Sequence, residues 1–171
     1  VRVLNDVDEG GGSWDPHLDE ATLLKMLRDM ALLRVFDDRM HRAQRQGKTS
    51  FYVKSTGEEA IATGAAHALD FEDMCFPSYR QPGLLITRGY PIESMINQIY
   101  SNRLDPLKGR QLPIMYSSKE YGFFSISGNL TTQYPQAAGW AMASASKGDS
   151  RIAATWCGEG STSEGDFHNG L

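Results

Sequence analysis

The chain has 171 residues, 40% of them hydrophobic and 22% charged, a length and composition that support a buried core and argue against disorder or fibre. Lys and Arg number 17 against 21 Asp and Glu, a net charge of −4, so no positive field exists to hold nucleic acid or an anionic membrane surface. No apolar run reaches bilayer length and no secretory pattern opens the chain, which predicts a soluble intracellular protein.

In chain order, residues 1–18 are polar and aperiodic, with Gly10, Gly11, Gly12 and Pro16, and read as an arm; residues 19–171 read as part of one domain. From Asp19, the apolar residues Leu23, Leu27, Met30, Leu33, Phe36, Met40 and Ala43 recur at helical spacing until Gly47 can stop the helix. The short stretch Ser50 to Val53 leads through Gly57 into a second helical pattern, Glu58 to Leu69, whose Ala60, Ala62, Gly64, Ala65 and Ala66 permit close packing. A strand is expected at Met74 to Pro77, a turn at Gly83, and a helix from about Pro91 to Asn102. The irregular segment Arg103 to Asn129 is long for a compact domain, and such loops carry function. Thr131 to Lys147 is helical and rich in small residues, and Arg151 to Cys157 reads as a buried strand ending at Gly158. Helices alternating with strands indicate an α/β fold with a parallel sheet. Cys75 and Cys157 lie far apart within apolar stretches and read as two buried thiols without a functional role. The chain begins at Val1 and stops at Leu171 inside a segment that reads as the first turns of a helix, and it is taken as a fragment.

The most informative segment joins the last strand to Gly158-Glu159-Gly160, after which Ser161 and Glu164 form a capping-box pattern. At the carboxyl end of a strand in an open α/β sheet, free backbone N–H groups and the helix dipole favour an anion. The third glycine, Gly165, comes too late for a dinucleotide fingerprint, and no Gly-Lys-Ser/Thr follows to make a Walker loop. Glu159 would repel a bare diphosphate, but its carboxylate becomes useful if a hard divalent cation lies between them. A tight turn without a ligand is the competing reading.

Taken together, several stretches resemble the alpha subunits of thiamine diphosphate-dependent branched-chain 2-oxo acid dehydrogenases almost from end to end. They are Arg45 to Tyr52, Gly57-Glu58-Glu59-Ala60, Tyr79-Arg80, Asp105 to Pro113, Ile126 to Gln133 and Gly158 to Asp166. The wording of Leu112 to Ser117 is most similar to bacterial members. The resemblance implies the first part of a thiamine diphosphate-binding fold, a parallel sheet flanked by helices, with the second half of the cofactor motif and the catalytic histidine beyond Leu171; no catalytic residue is expected within these residues.

The resemblance also implies roles. Tyr79 and Arg80, Gly128 and Leu130, and Gly158, Glu159, Gly160 and Ser161 would bind thiamine diphosphate. Glu159 would hold magnesium, and Ser127, Asn129, Thr132 and Gln133 would hold potassium. Read alone, Tyr79-Arg80 is better taken as a pair that closes a loop, and Ser127 to Gln133 as a polar turn near a helix start. Phe51, Tyr79 and Met115 are weak candidates for a substrate wall. Gly128 and Asn129 stand where many relatives have Ser-Pro, and Met115 where several carry a histidine; His17, His41, His67 and His168 read as surface or structural residues. Glu58 and Glu59 read as helix N-terminal acids favoured by the dipole. The implied reaction is oxidative decarboxylation of a branched-chain 2-oxo acid, with acyl transfer to the lipoyl group of a transacylase. It needs a beta subunit in an alpha2-beta2 heterotetramer, so the fragment alone would be inactive. The compartment would be the cytoplasm in a bacterium or the mitochondrial matrix in a eukaryote. Competing readings are a pyruvate or acetoin dehydrogenase alpha subunit, and a non-catalytic assembly subunit.

Overall fold

A computed structural model describes residues 15–171. The arm expected over residues 1–18 falls mostly outside them. Helix α1 runs Glu20–Arg45 and is capped by Asp19, whose Oδ1 accepts from the Thr22 N–H at 2.9 Å. Glu20 at its start and Arg42 and Arg45 at its end complement the helix dipole. Beyond it Gly47 takes φ +72°, the left-handed conformation that releases the chain from a helix. The second half of α1 buries Leu33, Phe36, Met40 and Ala43, whereas Leu23, Leu24 and Leu27 of its first half are exposed.

Helix α2, Glu59–Ala68, follows Gly57 and presents Ala62 and Thr63 to the interior. Strand β1, Met74–Phe76, runs parallel to strand β2, Ala153–Thr155, in the register Met74 to Ala153 and Phe76 to Thr155. Between them lie α3 (Pro82–Thr87), α4 (Ile92–Ile99) and α5 (Gln133–Ser146). The expected α/β class with a parallel sheet and flanking helices is thus what the chain adopts. The turn expected at Gly83 is instead the first turn of α3, with Pro82 at its start. Gly83 is needed there for proximity: a Cβ on it would lie 2.8 Å from the Ala62 Cβ and 2.9 Å from Leu33 Cδ2. That contact is where α1, α2 and α3 meet. Pro91 stands just before α4 as its cap residue, and α4 stops at Ile99, short of Asn102.

The long segment between α4 and α5 is packed rather than loose. Ile114, Met115, Tyr116, Phe123 and Ile126 join the core formed by Leu33, Phe36, Leu84, Leu85, Met95 and Ile99. Buried Gln98 holds it by donating to the Leu112 carbonyl at 2.7 Å and accepting from the Ile114 N–H at 2.9 Å. Arg88, at the end of α3, donates to the carbonyls of Asp70, Asp73 and Tyr121 at 2.8 to 3.0 Å. It thereby locks the approach to β1 against Gly122. The capping box expected at Ser161 and Glu164 does not form. Glu159–Ser163 is a short 3-10 helix, and Glu164 is the cap residue of α6, Gly165–Gly170, with no side-chain capping bond. The tighter winding puts Ser161 inside a helical turn, where its hydroxyl cannot reach the start of α6. Both cysteines are free. Cys75 is wholly buried, and burial pushes its thiol up to about 11. Cys157 is only half-buried, because it leaves β2 toward an open cavity.

Candidate functional site

Because β1 and β2 are parallel, their carboxyl ends open on the same side of the sheet, the side where α/β folds place ligands. The segment after β1 carries Ser78, Tyr79, Arg80 and Gln81; the segment after β2 carries Trp156, Cys157, Gly158 and Glu159. The turn before α5 (Ser127, Asn129, Leu130, Thr131, Gln133) and the start of α2 (Glu58, Ile61) close the remaining sides. Together they line a cavity of about 360 Å³. Of the residues singled out in the sequence, Tyr79, Arg80, Ser127, Asn129, Leu130, Gln133, Gly158, Glu159 and Ser161 meet here.

Each wall is tied to another. Arg80 Nη1 donates to the Lys54 carbonyl at 2.5 Å, and its guanidinium carbon sits 5.6 Å from the Tyr79 ring centre. Lys54 belongs to a segment fixed from below by Asp37, a fully buried residue of α1. Its carboxylate accepts from the Tyr52 hydroxyl (2.7 Å), the Ser55 N–H (2.7 Å) and the Ser55 hydroxyl (2.9 Å). Buried Gln81 accepts from the Ser78 N–H and hydroxyl at 2.9 and 2.7 Å, and donates to Glu58 Oε2 at 2.9 Å. The loop after β1 is thereby clamped to the start of α2. Across the cavity, Gln133 Nε2 donates to the Trp156 carbonyl at 2.5 Å, which fastens α5 to the end of β2 and leaves Oε1 of the same amide with its lone pairs. Tyr134 and Cys157 meet at 3.2 Å; burial and this contact push the phenol up to about 12.

The charged side chains in the wall are Arg80, Glu58 and Glu159. Glu159 opens the 3-10 helix and is exposed, and among the described residues no cation pairs with it. One guanidinium beside two carboxylates suits a ligand that is anionic at one point and cationic at another, as a metal-bridged diphosphate is. No group of three or more His, Cys, Asp and Glu gathers among the described residues, so a divalent ion here would need further oxygens from its ligand. Thr131 adds a further feature: it is fully buried, and its hydroxyl has no hydrogen-bond partner.

Other candidates lie elsewhere. Gly128 and Gly160 adjoin the cavity in sequence without lining it, and the Thr132 hydroxyl is turned to the Asn129 carbonyl at 3.3 Å. Of the substrate-wall candidates Tyr79 alone lines the cavity. Phe51 is exposed, and Met115 is a core residue whose Cε would sit 3.7 Å from a Cβ on Gly128. Met115 therefore props the turn from beneath. Glu58 and Glu59 do start α2 as expected, but they differ. Glu59 pairs with Arg34 at 2.5 Å, whereas Glu58 faces the cavity. Sequence reasoning passed over Ser78, Gln81, Thr131, Trp156 and Cys157. The signal for Gln81 was its position three residues after Ser78, the reach of a side-chain clamp over one turn. None of His17, His41, His67 and His168 lines the cavity.

A family model described as "Dehydrogenase E1 component" matches residues 27–171. The chain is 61% identical over all of its 171 residues to a Pseudomonas aeruginosa protein named 2-oxoisovalerate dehydrogenase subunit alpha. It is 46% identical over 169 residues to the mitochondrial protein of that name from Caenorhabditis elegans, and 45% identical over 159 residues to that from Mus musculus. These matches take in 100%, 98% and 93% of the chain, but only 42%, 39% and 36% of the respective relatives. The chain thus spans about two fifths of the length of the relatives it matches.

Proposed function

The chain belongs to the dehydrogenase E1 component family, and from that premise we propose that it is the cofactor-binding part of the alpha subunit of a branched-chain 2-oxo acid dehydrogenase. In this reading the cavity takes thiamine diphosphate with magnesium, and the turn before α5 takes a potassium-sized cation. The assembled protein is an alpha2-beta2 heterotetramer that decarboxylates branched-chain 2-oxo acids and passes the acyl group to a lipoyl-bearing transacylase. The observation that carries the reading is the convergence of Arg80, Glu159 and the Ser127 to Gln133 turn on one cavity at the carboxyl ends of two parallel strands. The donor set fits the cofactor. Arg80 offers a permanently charged planar fork to phosphate oxygens, and Glu159 a hard oxygen to magnesium.

When bound, thiamine diphosphate supplies the electron sink for decarboxylation. This chain's residues bind, orient and shield. Arg80, held by the Lys54 carbonyl, keeps its fork at the anionic end of the ligand. The Gln81 bridge to Glu58 keeps the facing wall from relaxing when that charge is absent, which is preorganisation of the kind that favours charged states in a site. Leu130 and Trp156 add apolar surface that excludes water from the ligand. The test is a rate comparison on the full-length alpha chain assembled with its beta partner, using 3-methyl-2-oxobutanoate and pyruvate with a lipoylated acceptor. We expect turnover dependent on thiamine diphosphate and magnesium, favouring the branched acid by at least about 10-fold, the scale on which a pocket separates substrates differing by methyl groups. Equal or better use of pyruvate would move the protein to the pyruvate class. Absence of thiamine diphosphate binding would leave an assembly subunit.

A further inference from the structure

Thr131 is β-branched, yet its backbone takes φ +62°, in the left-handed region that such residues avoid. It is 0% exposed, its hydroxyl finds no partner, and the residue lines the cavity. A buried hydroxyl normally pairs, since leaving it unpaired carries the whole cost of its lost hydration. Local packing gives no reason for a hydroxyl at this position; valine has the same shape without that cost.

The neighbouring oxygens are committed to different degrees. The Thr132 hydroxyl donates to the Asn129 carbonyl, and the Ser127 hydroxyl accepts from the Asn129 N–H at 3.1 Å. The Gln133 amide is turned so that its nitrogen serves Trp156 and its oxygen stays free. Thr131 lies between Leu130 and Thr132 in this turn and has its whole hydroxyl uncommitted. Hydroxyl and amide oxygens without a carboxylate among them suit a singly charged hard cation better than a divalent one.

On the reading that this turn holds a potassium-sized ion, we infer that Thr131 is a further residue of that site: its hydroxyl oxygen ligates the ion, which gives the unpaired hydroxyl the partner it lacks within the protein. The ion thereby ties the start of α5 to the cavity wall. The apolar variant Thr131→Val keeps the branched shape and removes only the hydroxyl; Thr131→Ser keeps the hydroxyl and removes the methyl.

The experiment titrates potassium chloride, at ionic strength held constant with choline chloride, into the full-length alpha chain assembled with its beta partner. The readouts are Trp156-sensitive fluorescence and melting temperature, both independent of turnover. Wild type should gain stability with potassium. Thr131→Val should need roughly 5- to 30-fold more potassium, the equivalent of one lost hydroxyl contact, while melting no lower than wild type in choline alone. Thr131→Ser should respond like wild type. Should Thr131→Val fail to assemble, Thr131→Ala makes the same comparison. A hydroxyl-lacking variant with the wild-type potassium midpoint overturns the role of Thr131 and leaves the cation site standing. A wild type indifferent to potassium overturns the cation site and this inference with it.

Discussion

Asp37→Asn isolates the buried anchor beneath the site. The Asp37 carboxylate takes three hydrogen bonds, from Tyr52 Oη and from Ser55 N and Oγ, all 2.7 to 2.9 Å long and all in the interior. An asparagine has one oxygen. If that oxygen keeps Tyr52, the new NH₂ faces the Ser55 N–H, donor against donor, and only the Ser55 hydroxyl can rotate to accept. One buried donor left unpaired costs about 1–3 kcal/mol, and weakening the Tyr52 bond from charge-assisted to neutral costs about 1 kcal/mol more, so a loss of about 3 kcal/mol is expected. The effect is local, and amide hydrogen exchange followed by mass spectrometry on peptides covering 50–57 of the assembled enzyme reads it directly. At about 1.4 kcal/mol per decade, protection of the Ser55 amide should fall roughly 100-fold. The Lys54 carbonyl that holds Arg80 lies in the same segment, so cofactor affinity should drop with it. Exchange at Ser55 within about 3-fold of wild type, well under 1 kcal/mol on that scale, would refute the idea that Asp37 anchors this segment.

Arg80→Lys replaces a planar fork that reaches both the Lys54 carbonyl and the cavity with a single ammonium; thiamine diphosphate binding measured by calorimetry should weaken by about 1–3 kcal/mol. Gly83→Ala would push a methyl to 2.8 Å from Ala62 and 2.9 Å from Leu33, both fully buried. Overpacking of about 1–3 kcal/mol outweighs the roughly 1 kcal/mol gain in helix propensity, so the melting temperature should fall. The Arg34 hydrogen bond, helped by the Gly57 N–H, holds the Glu59 carboxyl below its ordinary 4.5. Its stabilising contribution is therefore present above pH 4.5 and lost as pH falls through the depressed value. Melting curves from pH 6 to 3 should show that loss in wild type and a shallower one in Glu59→Gln.

Long periodic segments were legible because one rule governed them: α1, α2 and α5 follow the helical recurrence of apolar or small residues, and β1 and β2 are short apolar runs closed by Pro77 and Gly158. Gly83 misled because glycine speaks for turns locally, whereas here it serves a three-helix contact that no local pattern encodes. Ser161 and Glu164 misled for a related reason, since their spacing also fits a 3-10 turn. Within the site, residues carried by a motif were legible. Ser78, Gln81 and Thr131 were not, because their importance lies in whether a partner stands nearby, which only the folded chain reveals. The exposed Leu23 and Leu27 belong to the same run of helical spacings as the buried half of α1, and spacing alone does not say what covers a residue.

The proposed function rests on Glu159 bringing a divalent ion to a diphosphate held by Arg80. Calorimetric titration of thiamine diphosphate into the full-length assembled enzyme, with and without magnesium, tests it in wild type and in Glu159→Gln. Tight binding is expected in wild type only with magnesium, with that dependence lost in the variant and its melting temperature unchanged. Equal magnesium-dependent binding in both proteins would contradict it.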